Sequence, residues 1–157
     1  MQSWVFLGAL SHPQSRGRIL LTGPNPDDPV RIEANALSHP DDLARAKACV
    51  EFMREIGSAP ALQPHIKREV MPGNLTGAEL ESYLRDAAST YWHHVGTAKM
   101  GNDTMSVVDS SLKVYGLEGL RIADASIMPR TTTGNTMAPC VVIGERAADL
   151  LIDTHAL

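Results

Sequence analysis

The stretch Tyr91-Trp92-His93-His94-Val95-Gly96-Thr97-Ala98-Lys99-Met100-Gly101 decides how this chain is read, because it holds the densest chemistry in the sequence. Two histidines stand side by side, and His93 has a Gly-Thr pair three residues on. A metal site is the first thing such a pair suggests. Neighbouring side chains of an extended chain point to opposite faces, however, so one ion is not easily reached by both. None of the six histidines forms His-Glu-x-x-His, and the Cys-Cys-His patterns of structural zinc are absent. The expectation is therefore no metal. An imidazole in such a place can act as an acid–base group, although a lone histidine on a strand is more often structural.

Downstream of this stretch, Val107-Val108-Asp109, Leu112-Lys113-Val114 and Leu120 to Asp124 read as short strands, with a tight turn at Gly116 to Gly119. A polar loop, Thr131-Thr132-Thr133-Gly134-Asn135, leads to a final helix from about Met137 to Asp153. Pro139 suits its first turn, and Cys140, Val141, Gly144, Ala148 and Leu151 are its expected buried face. Upstream, Trp4 to Leu10 reads as a buried strand. Arg18 to Thr22 reads as a strand, and Val30 to Glu33 as a half-buried one. Ser38-His39-Pro40-Asp41-Asp42 is a helix start, followed by a stripe of Leu43, Ala46, Val50, Met53 and Ile56 and a stop at Gly57. Residues 58–75 read as loop. Thr76-Gly77-Ala78-Glu79 has the form of a capping box, ahead of a second helix burying Leu80, Tyr83, Leu84 and Ala87. The expected class is α+β, a mixed or antiparallel sheet with packed helices.

Composition narrows the function. A chain of 157 residues is enough for one domain. Its formal charge is −4, and its only basic knots are Lys67-Arg68 and Arg16-Gly17-Arg18, so nucleic acid is not an expected partner. Cys49 and Cys140 form no disulfide framework, and a reducing, cytoplasmic setting is the default. The apolar start Met1 to Leu7 has neither a basic flank nor the length of a signal peptide. No apolar run is long enough to span a bilayer. The nucleophile pattern Gly-x-Ser-x-Gly and the dinucleotide turn Gly-x-Gly-x-x-Gly are both missing.

The His93 stretch, the segments 107–114 and 120–129, Thr133 to Pro139 and Ile143 to Asp149 together resemble the carboxy-terminal part of the glucose–methanol–choline (GMC) oxidoreductases. Ser11-His12-Pro13, Ser15-Arg16-Gly17, Asn35 and Leu37 to Asp42 extend the resemblance over nearly the whole chain. It implies the carboxy-terminal catalytic part, residues 1–157, of an FAD-dependent enzyme that oxidises an alcohol to an aldehyde or ketone. Residues up to about 90 would belong to the substrate part. Residues from about 91 would hold the catalytic segment and a last helix returning to the flavin domain. The resemblance makes His93 the base that takes the hydroxyl proton and Asn135 its partner, whose amide donates to the alcohol oxygen but cannot itself be the base. It places Asp124, Ala125, Asn135, Thr136 and Met137 against the flavin. There the positive end of the final helix suits a ring edge that gains negative charge on reduction. Tyr91 and Trp92 would line the same site or simply pack. The implied partners are a small-molecule alcohol and an amino-terminal FAD-binding part that is absent from this chain. The alternative is a non-catalytic fragment or interaction module that keeps the fold.

Overall fold

A computed structural model describes residues 3–155. Met1 and Gln2, at the head of the apolar start, lie outside this range. The chain divides into two compact units, Met1–Ser89 and Thr90–Leu157.

In the first unit, strand β1 (Arg18–Leu20) pairs antiparallel with β2 (Arg31–Glu33), with Ile19 opposite Ile32. Gly17 sits where an added Cβ would collide with the carbonyl oxygens of Glu33 and Ala34, so the two backbones close up only with glycine there. The alternation expected to half-bury Val30 and Ile32 does the reverse. Both are exposed, while Glu33 is half-buried between Arg18 and Arg31. The apolar face of this ribbon stays exposed among the described residues of its own unit. Trp4 to Leu10, expected as a buried strand, has no regular structure, and Trp4, Val5 and Leu7 are exposed, because no strand among the described residues pairs with it.

Helix α1 (Pro40–Gly57) starts and stops where expected. Its cap is His39, whose ring nitrogen accepts from the Asp41 amide. Leu43 and Val50 are buried and Ala46, Met53 and Ile56 half-buried, so the predicted stripe is the packed one. It packs against α2 (Gly77–Ala87), where Leu80 is fully buried and a Lys47–Glu81 ion pair of 2.7 Å ties the two helices. Ala87, expected on the buried face, is exposed at the last turn. The capping box does not form either. Gly77 enters the helix at a φ of 54°, so Thr76 does not present its hydroxyl to the first amides. The loop between the helices contains one 3-10 turn (Gln63–His65). It is held by Arg54, which pairs with Glu69 and donates to the carbonyls of Gly73 and Leu75.

The second unit is organised around Val108, Leu112, Ile127 and Ala147, with Met100, Val107, Val114, Ile122, Ile143 and Leu150 packed on them. The expected strands are single bridges: Met100 to Val108, Val108 to Val114 and Lys113 to Arg121. The chain turns too tightly for longer ladders. Asp109 accepts from the amides of Ser111 and Lys113, and Leu112 adopts a φ of 64°. Helix α3 (Met137–His155) is two residues longer than expected, and its packed face is rotated. Cys140, Ile143, Ala147 and Leu150 turn inward, whereas Val141, Gly144, Ala148 and Leu151 are exposed. The helix is apolar on both sides, so periodicity alone does not say which side meets this unit. Among the described residues, no helix is long and apolar enough to cross a membrane.

Back in the first unit, one buried carboxylate gathers the scattered motif residues. Asp42 is fully buried and accepts from the Gln14 amide (2.9 Å), the Ser15 amide (2.7 Å) and the Ser15 hydroxyl. The Ser15 hydroxyl accepts in turn from the His39 amide. Arg45 donates to the carbonyls of Ser11 and His12, and Asn35 to that of Arg16. Burial pushes the Asp42 carboxyl up, but the Ser15 hydroxyl and the amides of Gln14 and Ser15 outweigh it and hold the group below its ordinary value. The latch therefore stabilises the fold above the ordinary aspartate range and loses that contribution as pH falls through the lowered value. Asp42→Ala leaves these donors without an acceptor and should cost about 2 kcal/mol. Thermal unfolding at neutral pH checks this, with a visibly lower Tm expected and an unchanged Tm contradicting the latch.

Candidate active site

Two segments of the second unit pack on the stretch that holds His93, one at the ring itself and one further along, at Ala98 and Met100. The chain reaches His93 through Trp92 at a φ of 60°, a conformation that bulky residues rarely adopt and that makes a bend here. The bend sends the two histidines to different partners. His94 Nε2 lies 2.8 Å from the Thr90 hydroxyl, which also accepts from the Trp92 amide. His93 is half-buried, and its Nδ1 lies 3.0 Å from the Thr136 hydroxyl, across 43 residues of sequence. No group of three or more metal-ligating side chains occurs among the described residues.

Gly96 explains the spacing of the motif. It has a φ of 88°, and an added Cβ would stand 3.3 Å from the Met128 carbonyl oxygen. Just beyond it, the Ala98 amide donates to the Ser126 carbonyl (3.0 Å) and the Met100 amide to that of Ile127 (2.7 Å). The His93 segment is thereby stitched to the turn that carries Asp124 and Ala125.

That turn is a 3-10 helix (Ala125–Ile127) capped by Asp124, whose carboxylate accepts from the Ser126 amide at 2.7 Å. The Ser126 hydroxyl and amide hold this carboxyl below its ordinary value, against a smaller opposing push from burial. The Asp124 carboxylate is thus occupied as a local cap, and Ala125 beside it is half-buried.

The third segment enters α3. Thr136 is buried, and its carbonyl accepts the first helical bond, from the Cys140 amide at 3.0 Å. Asn135 and Met137 on either side are exposed. Because Thr136 touches the His93 ring, Asn135 stands one residue from that contact. Tyr91 and Trp92 are exposed next to the histidine, with ring centroids 5.9 Å apart, and the Tyr91 ring meets His93 edge-on at 5.6 Å. The residues singled out from the sequence thus fall on three segments: Tyr91 and Trp92 beside His93, Asn135 to Met137 around its Thr136 contact, and Asp124 and Ala125 on the turn bonded to Ala98 and Met100. The side-chain role of Thr136 was not foreseen. Its one signal was Pro139 three residues later, which removes one of the two amides that such a hydroxyl usually holds.

Gly96→Ala forces a side chain into a positive φ and should cost about 1–2 kcal/mol of stability. Chemical denaturation of the chain reads it, and a midpoint equal to that of the unsubstituted chain would contradict the close approach to Met128.

The model of a family described as GMC oxidoreductase matches residues 13–144. The chain is 44% identical over 142 residues to an alcohol dehydrogenase [acceptor] of Pseudomonas putida, covering 89% of this chain and 26% of that protein. It is 42% identical over 151 residues to an oxygen-dependent choline dehydrogenase of Stenotrophomonas maltophilia, covering 94% and 27%. Among solved structures, pyridoxine 4-oxidase from Mesorbium loti superposes with a TM-score of 0.84 at 34% identity, covering 88% of this chain and 28% of that one. A fungal aryl-alcohol oxidase gives 0.81 at 32% identity, covering 92% and 24%. The chain therefore spans about a quarter of the length of the relatives it matches. By the extent of these matches, the chain belongs to the GMC oxidoreductase family and corresponds to its carboxy-terminal domain.

Proposed function

We propose that this chain carries the base-bearing side of the active site of an FAD-dependent oxidoreductase acting on CH–OH groups, and that a flavin-binding part outside it completes the site. The observation that supports this most is the 3.0 Å contact between His93 and Thr136, which brings the imidazole to the start of α3 beside Asn135. A half-buried imidazole next to an exposed amide suits an alcohol. His93 takes the hydroxyl proton at Nε2, since Nδ1 is engaged by Thr136. Asn135 donates from its side-chain amide to the alcohol oxygen as negative charge builds there. Tyr91 and Trp92 form an apolar rim that excludes water from the same place.

The residues present fit the ring side of a flavin. The first turn of the 19-residue helix α3 offers free backbone amides and the positive end of a helix dipole, with Asn135 and Met137 exposed at its mouth. Asp124 and Ala125 stand on a segment stitched to the His93 stretch and would contact the same ring. When bound, the flavin supplies the two-electron acceptor that side chains lack. Residues to about 90 are assigned to the substrate-binding part, and residues from about 91 to the catalytic segment and flavin-contacting helix. The exposed apolar faces of β1, β2 and α3 suit burial against the flavin-binding part. The cytoplasmic setting rests on Cys49 and Cys140, both free thiols.

The test is kinetic, in the flavin-loaded enzyme that contains this chain. His93→Ala should lower the rate of alcohol oxidation roughly 10²–10⁴-fold and flatten the pH-dependent limb that a titrating base gives. His94→Gln should be mild, because that ring is bonded to Thr90. An unchanged rate and profile in His93→Ala would instead favour a fold retained without catalysis. A loss at His94 equal to that at His93 would move the base to the other ring.

A further inference from the structure

We propose that the Thr136 side chain is a positioning residue. Its hydroxyl accepts a hydrogen bond from Nδ1–H of His93, which holds the imidazole in the tautomer whose lone pair is on Nε2. The inference rests on the reading of His93 as a base and adds what sets the direction of that base.

Three observations carry it. The Thr136 side chain is buried and lies 3.0 Å from His93 Nδ1, within hydrogen-bond distance. Thr136 also stands immediately before α3, where a threonine hydroxyl ordinarily accepts from an amide of the first turn. Here the third helical residue is Pro139, which has no amide hydrogen, and among the described residues the Thr136 hydroxyl bonds to His93 alone. The same residue gives its carbonyl to the Cys140 amide, so α3 fixes its backbone while its side chain stays available to the ring.

The direction of the bond follows from proton bookkeeping. If the hydroxyl donated to Nδ1, Nε2 would carry the hydrogen of the neutral ring and could not accept a proton from an alcohol. If the hydroxyl accepts, Nε2 has the lone pair before the transfer, and Nδ1–H remains a donor to Thr136 after it. One orientation of the contact thus serves both protonation states of the ring.

The probe is the chain labelled with nitrogen-15 histidine, read by long-range proton–nitrogen correlation, with the His93 signals identified by their loss in His93→Gln. The unsubstituted chain should show the Nδ1–H form in excess at His93. Thr136→Val, which keeps the shape and removes the acceptor, should shift the ratio of the two tautomers roughly fivefold toward Nε2–H, the weight of one net hydrogen bond. Thr136→Ser should restore it. In the flavin-loaded enzyme, the valine variant should lower kcat with KM nearly unchanged, and serine should rescue it. An Nε2–H ring in the unsubstituted chain overturns the proposal without any variant, so a valine chain that fails to fold does not shield it. A ratio unmoved by valine also overturns it. Nδ1–H in the chain, with full activity in His93→Ala, would leave the hydrogen bond standing and remove the base.

Discussion

The small apolar knot of Val108, Leu112, Ile127 and Ala147 is the constraint on which the second unit depends. Ala147 is the α3 member of that knot, and its small side chain lets the helix lie close against Ile127 and Val108. Ile127 closes the 3-10 turn headed by Asp124, and Met100, packed on the knot, ends the stretch that begins at His93. Fixing those four side chains therefore fixes the rotation of α3, the position of Asp124 and the exit of the histidine segment together. Thr136 reaches the imidazole because the helix that follows it is anchored at Ala147. A core this small tolerates little, since every member touches a segment that carries a candidate functional residue.

The first unit is built on a different principle. Its segments are gathered by a buried charge rather than by area. Asp42 holds the chain at Gln14 and Ser15, and the surrounding bonds from Arg45, Asn35 and His39 spread that hold from Ser11 to Asp42. A buried carboxylate bonded at both oxygens is a rigid junction, because removing any donor exposes the cost of the burial. Helices α1 and α2 then supply the ordinary apolar contact through Leu43, Val50 and Leu80.

Much of this was legible in the sequence, and the failures share one physical cause. Helix α1 was readable at both ends because Pro40, the early acids and Gly57 act locally. The stripe of Leu43, Val50 and Met53 was readable from its helical spacing, although Phe52 on the opposite side stays exposed. Helix α3 is apolar on two sides, so its packed face required knowledge of its neighbours. Val30, Ile32 and Trp4 to Leu7 follow the patterns of buried strands yet are exposed in the chain as it stands. The bend at Trp92 and the hydroxyl contact of Thr136 depend on residues far apart in sequence, and short-range patterns do not carry such contacts. The pairing of His93 with the region of Asn135 came from family resemblance, and the geometry adds the hydrogen bond between neighbouring residues.

Both catalytic assignments turn on which way the His93 ring faces once a flavin is in place. A crystal structure of the flavin-loaded enzyme containing this chain tests that most directly. The account predicts Nε2 of His93 and the side-chain amide of Asn135 converging on one point beside the reacting edge of the flavin, with Nδ1 still on Thr136. A His93 ring turned away from the flavin, or Asn135 directed to solvent with another donor in its place, would contradict it.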